Sequence, residues 1–146
     1  MMISTRGRYA LRVMIDLAED TTGGYVPLKR IAKRQGISEK YLEAILPALI
    51  KHQLLQALRG KGGGYKLARP AETYSAASIL RPLEGNFAPV SCLECDASTC
   101  PRAPHCKTLP MWAGLHNLID QYLEGITLAD LCKGGTHEEL AKQPID

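Results

Sequence analysis

Four glycines in five residues, Gly60-Lys61-Gly62-Gly63-Gly64, separate the short run Leu54-Leu55-Gln56-Ala57-Leu58-Arg59 from a second one, Tyr65-Lys66-Leu67-Ala68-Arg69. Glycine reaches positive φ without steric cost and puts no side chain between the backbone and a neighbour, so the segment reads as two strands folded back on a tight turn. Arg59, Lys61 and Lys66 place cations around that turn, a combination suited to phosphates or a narrow minor groove. An ordinary glycine-rich hairpin is the plainer alternative. A nucleotide phosphate loop is excluded, because the Gly-x4-Gly-Lys-Ser/Thr order is missing and a strand rather than a helix follows.

What precedes the hairpin is helical. Ser4 or Thr5 can cap a first helix in which Tyr9, Val13, Leu17 and Ala10, Met14, Ala18 recur at helical spacing, with Gly23-Gly24 expected to stop it. Pro27 suits the first turn of a short second helix through Leu28, Ile31 and Ala32, which Gly36 would end in a left-handed conformation. Ser38 then caps a third helix whose Leu42, Ile45, Leu46, Leu49 and Ile50 form a buried stripe. Helix, tight glycine turn, helix and then a two-stranded wing is the sequence form of a winged helix-turn-helix, in which the second helix of the pair offers its N-terminal residues to base edges. Ser38, Glu39, Lys40, Tyr41 and Glu43 are those residues; Arg59, Lys61, Gly62, Gly63 and Tyr65 are their counterparts on the wing. Pro47 interrupts the third helix and should remove a backbone bond or kink it.

Charge is divided in the same way. Residues 1 to 69 hold 13 Lys/Arg against 5 Asp/Glu, a net +8, whereas residues 70 to 146 hold 5 against 10, a net −5. The basic half offers phosphate-neutralising charge, and the acidic half would repel a polyanion and is better used for self-association or sensing. At 146 residues and 45% hydrophobic composition the chain can build one ordinary core with an appended element. No run of about eighteen apolar residues occurs and the N-terminus lacks signal-peptide character, so a cytoplasmic protein is expected, with no membrane partner.

Beyond Pro70, a short helix over Tyr74 to Leu80 leads through Arg81-Pro82-Leu83-Glu84-Gly85 to Cys92, Cys95, Cys100 and Cys106, spaced x2, x4 and x5. In a reducing compartment such a cluster favours metal binding or redox chemistry over disulfides, and the fifth cysteine, Cys132, leaves an odd total. Four thiolates on a flexible loop suit zinc or an iron-sulfur cluster, of two or four irons. Only one Cys-x2-Cys pair is present where structural zinc usually takes two, which puts the iron-sulfur reading slightly ahead. A thioredoxin-like site lacks its strand and helix context. Cys132 reads as a buried structural thiol, and His105 and His116 as surface or interface residues.

Downstream, Trp112, Leu115, Ile119 and Tyr122, with Leu118 and Leu123 beside them, make an apolar stripe from about Thr108 to Glu124 that a small winged domain cannot cover alone, which predicts a dimerisation helix. Gly125 ends it, Thr127 caps a last turn with Leu128 and Leu131, and Lys133 to Asp146 forms a charged tail.

Several segments together carry a resemblance: Ser4-Thr5-Arg6-Gly7-Arg8-Tyr9-Ala10, Val26-Pro27-Leu28, Arg34-Gln35-Gly36-Ile37-Ser38, Tyr41-Leu42-Glu43, Arg59-Gly60-Lys61-Gly62-Gly63-Gly64-Tyr65 and Gly125-Ile126-Thr127-Leu128. Over about residues 2 to 132 the chain resembles the bacterial iron-sulfur cluster regulators of IscR type (Rrf-two family), with NsrR and CymR types among their relatives. The resemblance implies a homodimeric winged-helix transcription factor whose cluster, held by loop cysteines, alters binding to a double-stranded operator. Cys100 and Cys106 match the family's last two ligand cysteines; Cys92, Cys95 or both could supply the first. The histidine ligand position of IscR-type proteins is Leu109 here, and the aspartate ligand position of NsrR-type proteins is Arg8. The simplest ligand set is therefore four thiolates, with His105 in reserve.

The expected architecture is mostly α: a winged helix-turn-helix domain over 1–85 with a two-stranded wing, a cysteine-rich cluster loop over 86–107, a dimerisation helix and C-terminal turn over 108–132, and a flexible tail over 133–146. The expected function is a sequence-specific DNA-binding regulator, with repression the expected sense, and not an enzyme. A zinc-stabilised or thiol-based regulator and a small iron-sulfur electron-transfer protein are the alternatives; the last would leave the basic half unexplained.

Overall fold

Ser4 starts the first helix by accepting the Gly7 N–H on its hydroxyl, one of the donors a helix N-terminus leaves unpaired. In the computed structural model, which describes residues 3–94 and 100–134, that helix is α1, Thr5–Glu19. It is followed by α2 (Leu28–Gln35), α3 (Glu39–Lys51), the strands β1 (Leu55–Leu58) and β2 (Gly64–Leu67), then α4 (Ala76–Glu84), α5 (Leu109–Gly125) and α6 (Leu128–Lys133). The fold is a mostly helical winged helix-turn-helix with a two-stranded wing and C-terminal helices, as its sequence led us to expect.

The core takes the predicted stripes. Ala10, Val13, Met14 and Leu17 of α1 meet Ile31 of α2 and Leu42, Ile45, Leu46 and Leu49 of α3, with Leu54, Leu55, Tyr74, Ile79 and Leu128 closing around them. Gly36 has φ +63 and ψ 35, the left-handed cap, and Ile37 immediately after it is buried, so the turn is pinned to the core by its own side chain. The α3 helix continues through Pro47 to Lys51; the proline gives up the N–H that would reach Glu43 O without ending the helix.

Boundaries differ from expectation at α1 and α4; in addition Pro27 is the N-cap of α2 rather than part of its first turn, and the return strand runs Gly64–Leu67. The first helix ends at Glu19 rather than at Gly23-Gly24, because the Asp20 carboxylate accepts the Thr22 N–H at 3.2 Å and the Thr22 hydroxyl, a local turn that competes with helix continuation. The segment predicted as Tyr74 to Leu80 is helical from Ala76 to Glu84, with Ser75 as its cap and Pro82 inside it. Tyr74 lies outside the helix and is fully buried, its hydroxyl donating to Leu54 O at 2.7 Å and accepting from the Ala68 and Arg69 N–H groups at 3.0 and 3.1 Å. This one side chain ties the base of the wing to α4.

The chain after α5 returns to the core. Ala76 N–H donates to Ile126 O at 2.8 Å and Leu128 N–H to Tyr74 O at 2.9 Å, so residues 126–128 lie against 74–76. Thr127 and Asp130 form a reciprocal capping box on α6, which holds the Asp130 carboxyl below its ordinary value through the Thr127 N–H and hydroxyl. A second apolar cluster, Ala77, Leu80 and Phe87, receives Ile3 and Leu11 from one side and Ile119 and Leu123 of α5 from the other.

Candidate nucleic-acid interface and cysteine loop

At the start of α3, Ser38 accepts the Tyr41 N–H at 3.2 Å, and Ser38, Glu39, Lys40 and Glu43 are exposed, as a reading end requires. Tyr41 is only half exposed: its ring packs edge-on against Tyr9 with centroids 5.3 Å apart, because aromatic surface beside α1 is removed from water. The expectation that Tyr41 projects freely is corrected to that extent. What aims α3 is a polar seam along α1 that sequence reasoning missed. Asp16, nearly buried, accepts from Arg34 at 2.7 Å and from Gln35 at 2.9 Å; Asp20 accepts from the same guanidinium at 3.1 Å. Arg12 donates to Gln35 and lies 5.2 Å from the Tyr9 ring centroid, and Arg6 donates to Ala44 O at 3.2 Å. The signal was present in the spacing: Arg12, Asp16 and Asp20 recur every fourth residue and so share one helix face.

In the wing, Leu55 pairs with Leu67 and Leu58 with Gly64 in antiparallel register, and Gly63 N–H donates to Gly60 O across the turn. Arg59, Lys61 and Gly62 are exposed at its end, while Gly63 is half-buried. A Cβ on Gly63 would lie 2.3 Å from Leu58 O, and one on Gly64 2.2 Å from Val26 O, so these glycines are required by close backbone approach. Tyr65 does not project from the tip. Its backbone bonds to Val26 in both directions, at 2.8 and 2.9 Å, and its side chain is half-buried against the main core, because its strand position points inward. Lys66, on the opposite strand face, lies with its Nζ 4.6 Å from the Tyr25 ring centroid.

The cysteine loop leaves the fold at Phe87, fully buried, and re-enters at α5. Cys92 is exposed and Cys100 and Cys106 are half-exposed; all three are free thiols, and Cys95 lies outside the described residues. The Thr108 hydroxyl, with its Oγ1 3.4 Å from the Cys106 Sγ, holds that thiol below its ordinary pKa, helped by the Thr108 and Leu109 N–H groups and the Arg102 charge. His105 is exposed, and Leu109 opens α5. Among the described residues no three His, Cys, Asp or Glu side chains are gathered as a metal-ligand group. Donor chemistry therefore fits a thiophilic centre, while the described thiols are not assembled around one. Cys132 is half-buried against the main core, and burial pushes its thiol up, with Glu19 adding to the effect.

The α5 helix has two apolar faces rather than one stripe. Ile119 and Leu123 pack on the cluster of Ala77, Leu80 and Phe87, while Met111, Leu115, Leu118 and Tyr122 are 57%, 40%, 46% and 41% exposed. Trp112 is half-buried. Of the predicted interface set, Leu115 and Tyr122 thus face solvent and Ile119 faces its own chain, because four-residue spacing alone cannot say which side meets α4. Arg81 of α4 fastens α5 by an ion pair to Glu124 and a second, at 3.4 Å, to Asp120, which also lies 3.4 Å from His116 Nε2. The Ser75 hydroxyl, 2.6 Å from Glu124, and then Arg81 hold that carboxyl below its ordinary value.

A capped α3 after a glycine turn, beside a cation-bearing wing, is the form of a winged helix-turn-helix protein. Residues 3–134 match the family model Rrf2, described as iron-dependent transcriptional regulator, and the chain belongs to that family. It is 35% identical over 131 residues to the HTH-type transcriptional regulator IscR of Sodalis glossinidius, covering 90% of this chain and 78% of the relative. Among solved structures, CymR, the global cysteine regulator of B. subtilis, superposes with a TM-score of 0.75 at 35% identity, over 92% of this chain and 98% of that one. The IscR of T. potens gives 0.70 at 37% identity, over 99% and 93%. The chain is accordingly a DNA-binding transcriptional regulator and not an enzyme. Among the described residues no helix is long and apolar enough to cross a membrane.

Proposed function

We propose that two copies of this chain associate through the exposed face of α5 and bind a palindromic operator, with the N-terminal end of α3 in each major groove and the wing against backbone or minor groove. Ser38, Glu39, Lys40 and Glu43 make the reading contacts, with Tyr41 bracing them. Arg59, Lys61 and the Gly62-Gly63 backbone take the wing contacts, and Tyr65 anchors the wing. The row Met111, Leu115, Leu118 and Tyr122, extended by Trp112, is the apolar surface a partner helix would cover.

The cysteine loop is the regulatory element in this reading. Its thiolates, Cys100, Cys106 and Cys92 together with Cys95, would hold an iron-sulfur cluster, which supplies a centre sensitive to oxidants and iron supply. The observation that carries the proposal is where the loop is tethered: buried Phe87 at one end and the first turn of α5 at the other. A change in loop conformation is thereby applied to the packing of α5 on α4, and ligand-dependent shifts in such packing are how occupancy biases an equilibrium. The family description as iron-dependent and the IscR relatives support the cluster. Zinc on the same thiolates, or thiol chemistry without a metal, is the second reading.

Anaerobic purification followed by iron, sulfide and zinc analysis separates these readings. Electrophoretic binding to a duplex selected by the protein, with and without the centre, tests regulation; equal affinity in both states would remove the sensing role. Cys92→Ser and Cys95→Ser, made singly, show whether three or four sulfurs are needed, by retention or loss of visible absorption.

A further inference from the structure

Glu84, the last residue of α4, accepts both the Ser4 N–H, at 3.0 Å, and the Ser4 hydroxyl, at 2.5 Å, on its Oε1. The Ser4 hydroxyl oxygen accepts the Gly7 N–H at 3.1 Å, so the group that caps α1 is also the group that holds Glu84. Gly7 is buried against this pair, and a Cβ there would collide with the Glu84 carboxylate and press on Leu80. The start of α1 therefore cannot slide along α4 without displacing that carboxylate. Glu84 is half-buried; among the described residues no cation pairs with it, and Ser4 is its one hydrogen-bond partner. Directly after it, Gly85 turns the chain at φ +78, and Asn86 accepts the Ala88 N–H at 3.0 Å. Phe87 is then fully buried, with the Arg81 guanidinium 5.5 Å from its ring centroid.

We infer that Glu84 is a positioning residue that passes the state of the cysteine-loop foot, residues 85–87, to α3, a role that rests on the reading-helix assignment proposed above. The route is continuous. Glu84 holds the Ser4 cap, the cap starts the 15-residue helix α1, and α1 holds α3 by Arg6 on Ala44 O and the segment before it by Asp16 on Arg34 and Gln35. A half-buried carboxylate served by one residue loses all its partners when that residue moves, so the contact is made or lost with little between. Chains of packed and hydrogen-bonded groups of this kind couple distant sites without any member touching the ligand.

The test uses the full chain, first without DNA. In Glu84→Ala the Gly7 amide should exchange about tenfold faster in the native state, and the amide resonances of Glu39 to Leu42 should shift. Glu84→Gln keeps a carbonyl oxygen for both Ser4 donors and should read as wild type. Phe87→Leu, which loosens the loop foot, should shift the same α3 resonances in the wild-type background and not in Glu84→Ala. Should Glu84→Ala not fold, Ser4→Asp takes its place, since aspartate still caps α1 but meets Glu84 as a like charge. On a duplex that the wild-type protein selects from a random pool, Glu84→Ala should weaken binding about fivefold, with Glu84→Gln unchanged. If the wild-type protein selects no duplex, the DNA reading fails, and the exchange and resonance comparison still decides the linkage. The role of Glu84 alone is overturned if Phe87→Leu acts equally in both backgrounds or in neither, or if Glu84→Gln behaves as Glu84→Ala. It is also overturned if Tyr74→Phe, a destabilised control remote from Ser4, produces the same α3 shifts.

Discussion

Replacing Tyr74 with Phe deletes one oxygen atom and tests how the wing is held to the helical body. The ring is fully buried, and its hydroxyl serves three backbone groups: Leu54 O, Ala68 N–H and Arg69 N–H. Leu54 O and Ala68 N–H also bond to each other at 3.2 Å, so they retain a partner when the oxygen is gone. Arg69 N–H does not gain one. The expected loss is one net hydrogen bond of about 1 kcal/mol plus the desolvation of an orphaned amide, roughly 1–2 kcal/mol, for a total of about 2–3 kcal/mol. At roughly 2–4 °C per kcal/mol for a chain of this size, the thermal midpoint should drop by about 5–10 °C. Urea unfolding is the assay: the midpoint concentration should fall while the slope with denaturant stays constant, and the Arg69 amide should exchange faster in the native state. A stability change below about 0.5 kcal/mol, or an Arg69 amide as protected as before, would refute the reasoning.

Three further outcomes are expected elsewhere in the fold. Gly64→Ala places a Cβ against the Val26 carbonyl and should dislodge the hairpin from residues 25–27, lowering stability by about 2 kcal/mol or more and abolishing duplex binding; a variant that binds like the wild type would contradict this. If the proposed dimer forms through the exposed side of α5, Leu118→Glu should leave the chain folded by circular dichroism and shift it to monomer in sedimentation, whereas an unchanged dimer would place the interface elsewhere. The Glu124 carboxyl is depressed by Ser75 and Arg81, so its contribution is present above the unfolded value near pH 4 and is lost as pH falls through the lower folded value. Glu124→Gln should therefore be less stable than wild type at pH 7 and converge with it in acid; parallel curves across that range would show that the pair adds nothing.

The helix-turn-helix and the wing were legible because each depends on local chemistry: a serine cap at Ser38, a left-handed residue at Gly36, an apolar stripe through Leu42 to Leu49, and glycines where the hairpin turns. Boundaries misread were those where a neighbouring element intervened. Asp20 ended α1 early by bonding Thr22 and Arg34, and α4 continued through Pro82 with Leu80 packed beside Phe87. Tyr41 and Tyr65 read as contacting residues from position alone; each is half-buried, Tyr41 against Tyr9 and Tyr65 against the main core, because an aromatic ring beside an apolar surface is more stable packed than hydrated.

The amino-acid sequence by itself determined the order of elements, the basic reading half and acidic second half, and the thiol content of the loop after Phe87. Those depend on residue type and on spacings of two, three or four residues, which a chain carries whether folded or not. Only the tertiary structure decided that α3 is aimed by Asp16 through Arg34 and Gln35, that α5 turns Ile119 and Leu123 inward and Leu115, Leu118 and Tyr122 outward, and that residues 126–128 return to Tyr74. The physical reason is sequence separation. Asp16 and Arg34 are 18 residues apart, Arg81 and Glu124 43, and Ser4 and Glu84 80, and contacts over such intervals are fixed by how helices pack rather than by any periodicity within them.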